Sequence, residues 1–124
     1  MHKEKLTCAI CQPHYLPWIG YFEMIDRVDV FVLLDDVQFI KREWKNRNRI
    51  RKDPTGSETK WLTVPITKEC QRSLLKDTRI SNGHNWAAAH FESLRHTYRN
   101  TSFVSGHLQR LSEIIEAYRN SSLA

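Results

Sequence analysis

The stretch that decides the fold is residues 12–36, QPHYLPWIGYFEMIDRVDVFVLLDD. It begins where a short apolar run, residues 6–11, meets a proline and leaves the extended conformation predicted for a strand. Pro13 and Pro17 bracket a tight, aromatic-rich loop, because each proline fixes its own φ and keeps the preceding residue out of the helical region. The sequence therefore predicts a strand followed by a rigid loop.

A short helix and a second strand follow this loop. Trp18, Phe22 and Ile25 recur at a spacing close to 3.6 residues, which is typical of a helix. Residues 30–34, VFVLL, form an uninterrupted apolar run that predicts a strand buried on both faces. Strand, helix and strand in this order predict the first βαβ unit of a parallel sheet, and therefore an α/β fold.

The candidate catalytic residues lie at the carboxyl ends of these two strands, where parallel α/β sheets bind ligands. Gln12 can donate and accept hydrogen bonds, His14 can titrate near neutrality, and Tyr15 can donate to an oxyanion. Asp35, after the second strand, can act as a general base. Because both segments leave adjacent strands at one edge, we expect Gln12, Tyr15 and Asp35 to face one cleft. The alternative is a rigid loop whose proline and aromatic residues only pack.

Length and composition indicate a single soluble domain. The 124 residues, of which 40% are hydrophobic and 27% charged, are ordinary for a globular protein. A chain of this size buries about two thirds of its unfolded surface. The longest apolar run, residues 30–34, is far too short to span a membrane, and the N-terminal residues have no signal-peptide pattern. We therefore expect a cytoplasmic protein.

Cys8 and Cys11 form a CxxC pair, which invites a metal or redox interpretation. Residues three apart in a strand point to opposite faces, so the two thiols are expected to diverge. A redox CxxC places its first cysteine at a helix N-terminus, whereas a zinc site needs two more ligands, for which Cys70 and His84 are poorly spaced. We therefore predict ordinary buried thiols, and assign no metal and no cofactor.

A basic segment indicates an anionic partner. The chain has a net charge of +5, and residues 41–52 contain Lys41, Arg42, Lys45, Arg47, Arg49, Arg51 and Lys52. The alternation over residues 45–51 predicts a strand with Lys45 and the arginines on one face and Asn46, Asn48 and Ile50 on the other. A turn signature at 53–56 and an aromatic, β-branched run at 61–66 predict the second strand of a hairpin.

Four consecutive residues, Asn46, Arg47, Asn48 and Arg49, are the best candidates for anion recognition. Arginine binds phosphate or carboxylate in a bidentate manner, and amides can bind sugar hydroxyls. The alternative is an edge strand that charge protects against aggregation. Nucleic acid is a rival partner, with Trp44 and Trp61 as stacking surfaces, but the sequence contains no nucleic-acid-binding motif.

Asp35 and Asp36 have two alternative roles besides catalysis. Either carboxylate can pair with Arg47 or Arg49, or it can bind a divalent metal. We favour the ion pair, because adjacent residues of a strand point in opposite directions and only one carboxylate then faces a given pocket.

Two helices are predicted to end the chain. The first covers residues 86–99 and the second begins at 105–106. His90 is interpreted as a residue at the margin of the core and not as a ligand. Two or three parallel strands are few for a doubly wound sheet, which indicates a minimal domain or part of a larger fold.

Five segments of the sequence together resemble the WbqC-like protein family. They are QPHYLPWIGYF at 12–22, DVFV at 29–32, DDVQF at 35–39, NRNRI at 46–50 and WLTVP at 61–65. The resemblance is strongest over residues 8–66. Because family members are considerably longer, it implies that residues 1–124 form a single α/β domain that is the N-terminal part of a longer family fold.

The resemblance implies a transferase of bacterial O-antigen or other surface-polysaccharide biosynthesis, which transfers glycine, another aminoacyl group or a related acyl group to a sugar. The implied partner is an anionic small molecule, either a nucleotide-sugar or an activated acyl donor. The matching segments add Trp18, Gly20, Tyr21, Asp36 and Gln38 to the ligand-binding candidates. The alternative is a non-catalytic basic module that binds nucleic acid or a protein.

Residues 12–32 are also similar in layout to the HxGH segment of nucleotidyltransferases. This second similarity implies a partial HUP- or Rossmann-like parallel sheet, carrying the basic hairpin and two C-terminal helices. Trp18 and Tyr21 stand where that class has its two histidines, so its phosphate chemistry does not transfer to this chain.

Overall fold

The first part of the chain folds as a βαβ unit. The computed structural model describes residues 5–102 and 104–124, and its first elements are strand β1 (Cys8–Cys11), helix α1 (Ile19–Asp26) and strand β2 (Val30–Leu33). The two strands pair in parallel, with Cys8 opposite Val30 and Cys11 opposite Leu33. The predicted unit is therefore confirmed.

The prediction that the second strand is buried on both faces is wrong. Val30, Val32 and Leu33 are 45%, 39% and 55% exposed. In the part of the chain that the structure describes, this sheet contains only β1 and β2. Helix α1 covers one face, where Tyr21 contacts Phe31 at 5.5 Å between ring centroids, and the other face meets solvent. An apolar run makes a strand suited to burial, but burial also needs a covering element.

The basic segment forms the predicted hairpin. Strands β3 (Arg47–Arg51) and β4 (Thr59–Thr63) pair in antiparallel orientation. Ile50 is buried and Arg49 is exposed, as the alternation predicts. Strand β4 ends two residues before Pro65, which has no N–H with which to extend the ladder.

Two short 3-10 turns, Lys68–Arg72 and Leu75–Asp77, lead from the hairpin to helices α2 (Trp86–Tyr98) and α3 (Val104–Tyr118). Asn85 caps α2, because its side-chain oxygen accepts a backbone N–H of the first turn at 3.3 Å. Both predicted helices are confirmed. The described residues include no helix that is long and apolar enough to cross a membrane.

The core lies between the hairpin and the two C-terminal helices. One buried cluster consists of Ile50, Leu62 and Leu94, and a second consists of Val64, Trp86 and Ala87. Leu108, Leu111 and Ile115 of α3 pack against these clusters. The loop at residues 12–17 is attached to this body, which places it beside the basic hairpin.

Candidate functional site

The loop after β1 is fastened to the hairpin by backbone and amide hydrogen bonds. The Tyr15 N–H donates to the Trp44 carbonyl at 3.1 Å. Asn48 Nδ2 donates to the Leu16 carbonyl at 2.6 Å and to the Tyr15 carbonyl at 3.3 Å. Leu16 has a φ of 46°, a left-handed conformation that is unfavourable for a residue with a branched side chain. The Asn48 amide therefore stabilises a strained turn, and its N–H groups are occupied by these bonds to the loop.

This attachment forms a cavity of about 370 Å³, lined by His14, Trp18, Trp44 and Asn48. We call it the His14 pocket. The imidazole of His14 lies against Tyr21, with 5.2 Å between ring centroids. Burial and the positive charge of Lys45 lower the pKa of His14. The imidazole is therefore neutral at physiological pH and can accept a proton.

Trp18 forms an exposed wall of the His14 pocket. It is 68% exposed, and its indole lies directly over Gly20. A Cβ atom at Gly20 would come within 2.1 Å of the Trp18 ring, so this position of the ring requires glycine. Gly20, a sequence-predicted binding residue, therefore leaves the space that the Trp18 ring occupies.

A cluster of two tryptophans and two arginines adjoins the pocket on the hairpin surface. The Trp44 and Trp61 rings lie 5.5 Å apart at an angle of 43°, and each residue is 43% exposed. The Arg47 guanidinium lies 3.9 Å from the Trp61 ring centroid, and that of Arg49 lies 5.3 Å from it. We call this cluster the Trp44–Trp61 platform. Trp44 belongs to both the platform and the His14 pocket, so the two form one continuous surface.

Lys45 departs from the predicted basic face. It is buried and forms an ion pair with Glu43, and burial lowers the pKa of its ammonium group. Regular alternation begins only at Arg47, the first residue of β3. Arg47 also donates to the Arg42 carbonyl, which fixes its guanidinium above Trp61.

The expectation that the Tyr15 ring faces a cleft is not met. The ring packs against both buried clusters, and the hydroxyl lies 2.8 Å from Nδ1 of His90. Burial raises the pKa of Tyr15 above its ordinary range, so its hydroxyl stays protonated while it is hydrogen-bonded to the imidazole. His90 is buried, which confirms its interpretation as a core residue. Because His90 lies 75 positions later in the chain, no local pattern could place the tyrosine there.

Tyr21 and Asn46, two predicted binding residues, are buried as well. The Tyr21 hydroxyl donates to the Gln12 carbonyl at 3.0 Å, and burial, with a smaller effect of Cys11, raises the pKa of Tyr21. Asn46 Nδ2 donates to the Val64 carbonyl at 2.8 Å. Both side chains are thus occupied in supporting the backbone around the site.

Gln12 and Asp35 leave the sheet at the same edge, as expected. The Leu34 N–H donates to the Cys11 carbonyl at 2.9 Å, so the two strands end together. The segments then separate. Residues 12–17 turn to the hairpin, whereas the Asp35 carbonyl accepts the Lys76 N–H at 2.9 Å beside the second 3-10 turn.

The acidic residues after β2 do not line the His14 pocket. Gln38 pairs with Leu74 in an isolated bridge, and Asp36 is exposed. Within residues 5–102 and 104–124, no ion pair joins Asp35 or Asp36 to an arginine of β3. The expected ion pair is therefore absent from the structure.

Two buried polar atoms have no hydrogen-bond partner among the described residues, Gln12 Oε1 and Arg47 Nε. Buried polar atoms in folded proteins are nearly always paired, so these two are candidates for contact with a ligand or with water. Gln12 stays a candidate on this ground, although its backbone also supports Tyr21.

The cysteines are free. Cys8 is exposed and Cys11 and Cys70 are half-buried, so the prediction of buried thiols is wrong for Cys8, again because one face of the sheet is uncovered. The described residues contain no group of three or more histidine, cysteine or acidic side chains that could hold a metal ion.

Sequence reasoning did not include Trp44 and Trp61 among the candidates for a small-molecule site. The signal was present in the hairpin register, since Arg49 and Trp61 are directly opposite each other on paired strands and cross-strand neighbours share a face. The position of Trp44 depends on the attachment of residues 12–17, which no local pattern shows.

Comparison with known proteins identifies the family of this chain. The model of the WbqC-like protein family matches residues 12–124. The chain is also 43% identical, over 91 residues, to a Mycobacterium tuberculosis (strain ATCC 25618 / H37Rv) protein named "Uncharacterized protein Rv1507c". That match covers 73% of this chain but only 38% of the relative. No solved structure matches the chain significantly. The family match extends over nearly all of the sequence, and the chain belongs to the WbqC-like protein family.

Proposed function

We propose that the chain binds an anionic, nucleotide-type ligand on the Trp44–Trp61 platform. The observation that carries this proposal is the position of the Arg47 guanidinium, 3.9 Å from the centroid of the Trp61 ring. The Trp44 ring lies 5.5 Å from the same Trp61 ring. An indole face takes a planar base or the apolar face of a sugar, while a guanidinium binds phosphate in a bidentate manner. A strand that carried charge only for protection against aggregation would not require a tryptophan beside the arginines.

The His14 pocket is the proposed position of the group that reacts. Its volume of about 370 Å³ lies at the lower end of the range for small-molecule sites, about 300 to 1,000 Å³. It shares Trp44 with the platform, so one ligand can occupy both. His14, neutral because its pKa is lowered, is the proposed general base that takes a proton from an acceptor amine or hydroxyl. Gln12 is the proposed polar contact, with its unpaired Oε1.

The proposed reaction is the transfer of an aminoacyl, glycine or related acyl group to a sugar, in the cytoplasm, during assembly of bacterial O-antigen or another surface polysaccharide. Resemblance to the WbqC-like family supports the pathway. The combination of a base, an anion platform and a small pocket supports a transferase. The donor is a nucleotide-sugar or an activated acyl compound. Asp35 leaves the sheet at the same edge as Gln12 but does not line the His14 pocket, so it is given no role in this reaction and its acid–base function stays a prediction.

Binding of nucleotides, nucleotide-sugars and acyl-coenzyme A, followed by calorimetry, tests the proposal. Arg47→Ala should weaken binding by about 1.5 to 3 kcal/mol, which is roughly 10- to 150-fold, because a charged hydrogen bond is lost. Trp61→Leu should weaken it too, by removing the stacking surface. Arg51→Ala is the matched control, since Arg51 is exposed at the far end of the same strand. Equal affinity of all four proteins for every ligand would remove the platform from consideration.

The same platform also suits single-stranded nucleic acid, whose bases stack on aromatic side chains beside cations. Short oligonucleotides distinguish the two functions. A non-catalytic nucleic-acid module should bind oligonucleotides more tightly as their length increases, with an affinity that falls steeply with salt. A small-molecule site should bind a mononucleotide with the same affinity as an oligomer.

A further inference from the structure

One face of the β1–β2 sheet is apolar and uncovered. The parallel register places Cys8 beside Val30 and Ile10 beside Val32, and these four side chains share the face opposite α1, since strand residues alternate. Ile10 is 62% exposed. Parallel sheets are normally covered by helices on both faces, so this face has the composition of an interface.

The outer edge of β1 is free as well. The Thr7 and Cys11 carbonyls accept N–H groups from the β2 side. Alternate residues of a strand direct their N–H and C=O groups to opposite edges, so those of Ile10 point away from β2. In the described residues no strand pairs with this edge. An open edge with unpaired groups is a template for another strand.

We propose that the free edge of β1 and the apolar face together bind a strand followed or preceded by a helix, and that this segment lies in the part of the M. tuberculosis relative outside the 91 matched residues. The match covers only 38% of that relative, so the remaining part of its chain is long enough to contain such a segment. The new strand extends the sheet beyond β1, and its helix packs on Ile10 and Val32.

The handedness of crossover connections selects the face. In the β1–α1–β2 unit the chain moves from β1 towards β2, and α1 lies on the face of Phe31. A strand added beyond β1 is reached by moving in the opposite direction. Because crossovers between parallel strands are right-handed, the helix of that connection must lie on the opposite face, which is the face of Ile10 and Val32.

This arrangement would make β1 the strand at which the winding direction reverses. Ligand crevices of open α/β sheets lie at that point, outside the carboxyl end of the strand. Gln12 follows β1 at this end. The added segment would therefore form one wall of a crevice beside residues 12–17. The described residues alone do not form this wall.

The test uses the polypeptide of the M. tuberculosis relative that lies outside the matched 91 residues. In one form, this polypeptide is co-expressed with the chain as a separate molecule. In the other form, the chain replaces the matched 91 residues of the relative, so that both parts belong to a single polypeptide. We expect a 1:1 complex, and slowed hydrogen exchange of the Ile10 amide in both forms. Ile10→Lys should abolish both effects, whereas Ile114→Lys should not, because Ile114 is similarly exposed (52%) but lies on α3.

Three outcomes would overturn the proposal. A complex that survives Ile10→Lys would place the interface elsewhere. Unchanged exchange of the Ile10 amide in the single polypeptide, which cannot dissociate, would show that this edge stays free. A dimer of this chain alone that Ile10→Lys dissociates would identify a second copy as the occupant of the face.

Discussion

The amide of Asn48 donates to two carbonyl oxygens of residues 12–17, at 2.6 Å from Leu16 and 3.3 Å from Tyr15. These bonds hold Leu16 in the left-handed region, where its φ is 46°. Such a conformation persists only when its surroundings fix it. One hairpin side chain therefore determines the shape of the loop that carries Gln12 and His14.

Asn48→Ala should lower the free energy of unfolding by about 1 to 3 kcal/mol, because partly buried carbonyl groups lose their donor. Chemical denaturation measures this change. Arg51→Ala, a surface substitution on the same strand, should stay within about 0.5 kcal/mol of the parent. Equal stability of the two variants would show that the Asn48 hydrogen bonds contribute nothing.

His90 makes stability depend on pH. Burial lowers its pKa below the ordinary value of 6.5, although a hydrogen bond with the Thr63 backbone opposes this effect. The unfolded chain therefore binds a proton more readily than the folded chain. The stabilisation is fully present above pH 6.5 and is lost as the pH falls below that value and through the folded-state pKa. His14, whose pKa is also lowered, contributes with the same sign.

The free energy of unfolding should consequently fall between about pH 8 and about pH 5, a range that spans the ordinary histidine pKa. His90→Gln, which retains a hydrogen-bonding group for Tyr15, should make this fall shallower. His84→Gln, at an exposed position, should leave it as in the parent. Identical pH profiles for all three proteins would show that His90 does not cause the pH dependence of stability.

At the scale of the element, α1 is shaped by the contact between Trp18 and Gly20. The indole occupies the space where a Cβ would stand, so the start of the helix and a wall of the His14 pocket are fixed together. Trp18 itself caps the helix only through its backbone conformation, without a side-chain hydrogen bond.

Gly20→Ala should displace the Trp18 indole and weaken ligand binding without destabilising the fold, because alanine favours a helix by about 1 kcal/mol over glycine. Tryptophan fluorescence and calorimetry would detect the two effects. Gly106→Ala is the matched control, since that glycine lies in the first turn of α3 with nothing within 4 Å of its Cβ position. Unchanged affinity in Gly20→Ala would exclude Trp18 from the site.

The elements themselves could be predicted from the sequence, but the site only in part. Local patterns sufficed for the βαβ unit, the hairpin and both helices, since Pro17, Pro65 and the alternation of β3 act on neighbouring residues. Tyr15 and Asn46 were misplaced, because their partners, His90 and Val64, are distant in sequence. Which polar residue faces a ligand and which supports the backbone is decided by such long-range contacts.

For the whole molecule, packing is uneven. The buried clusters consist of residues from the hairpin and its C-terminal continuation and from α2, with α3 packed against them. No residue of β1 or β2 is fully buried. Regions with few buried apolar contacts open locally at low free energy, so the two halves of the chain differ in local stability.

Amides of β1 and β2 should therefore exchange hydrogen faster than those of β3 and β4, as measured by NMR in the 124-residue chain. The cause is local opening, because among the described residues each sheet has two strands and the hairpin, unlike β1 and β2, packs on helices α2 and α3. Equal protection of the two sheets would show that the chain opens as one cooperative unit.

The paired indoles of the platform have an optical consequence. Transitions of two chromophores that lie 5.5 Å apart at an inclination of 43° couple, which gives a pair of circular-dichroism bands of opposite sign. Trp61→Leu should remove this couplet and Trp18→Leu should leave it. A planar ring stacking on the platform would perturb it, so the chain carries a built-in, label-free reporter of its own occupancy.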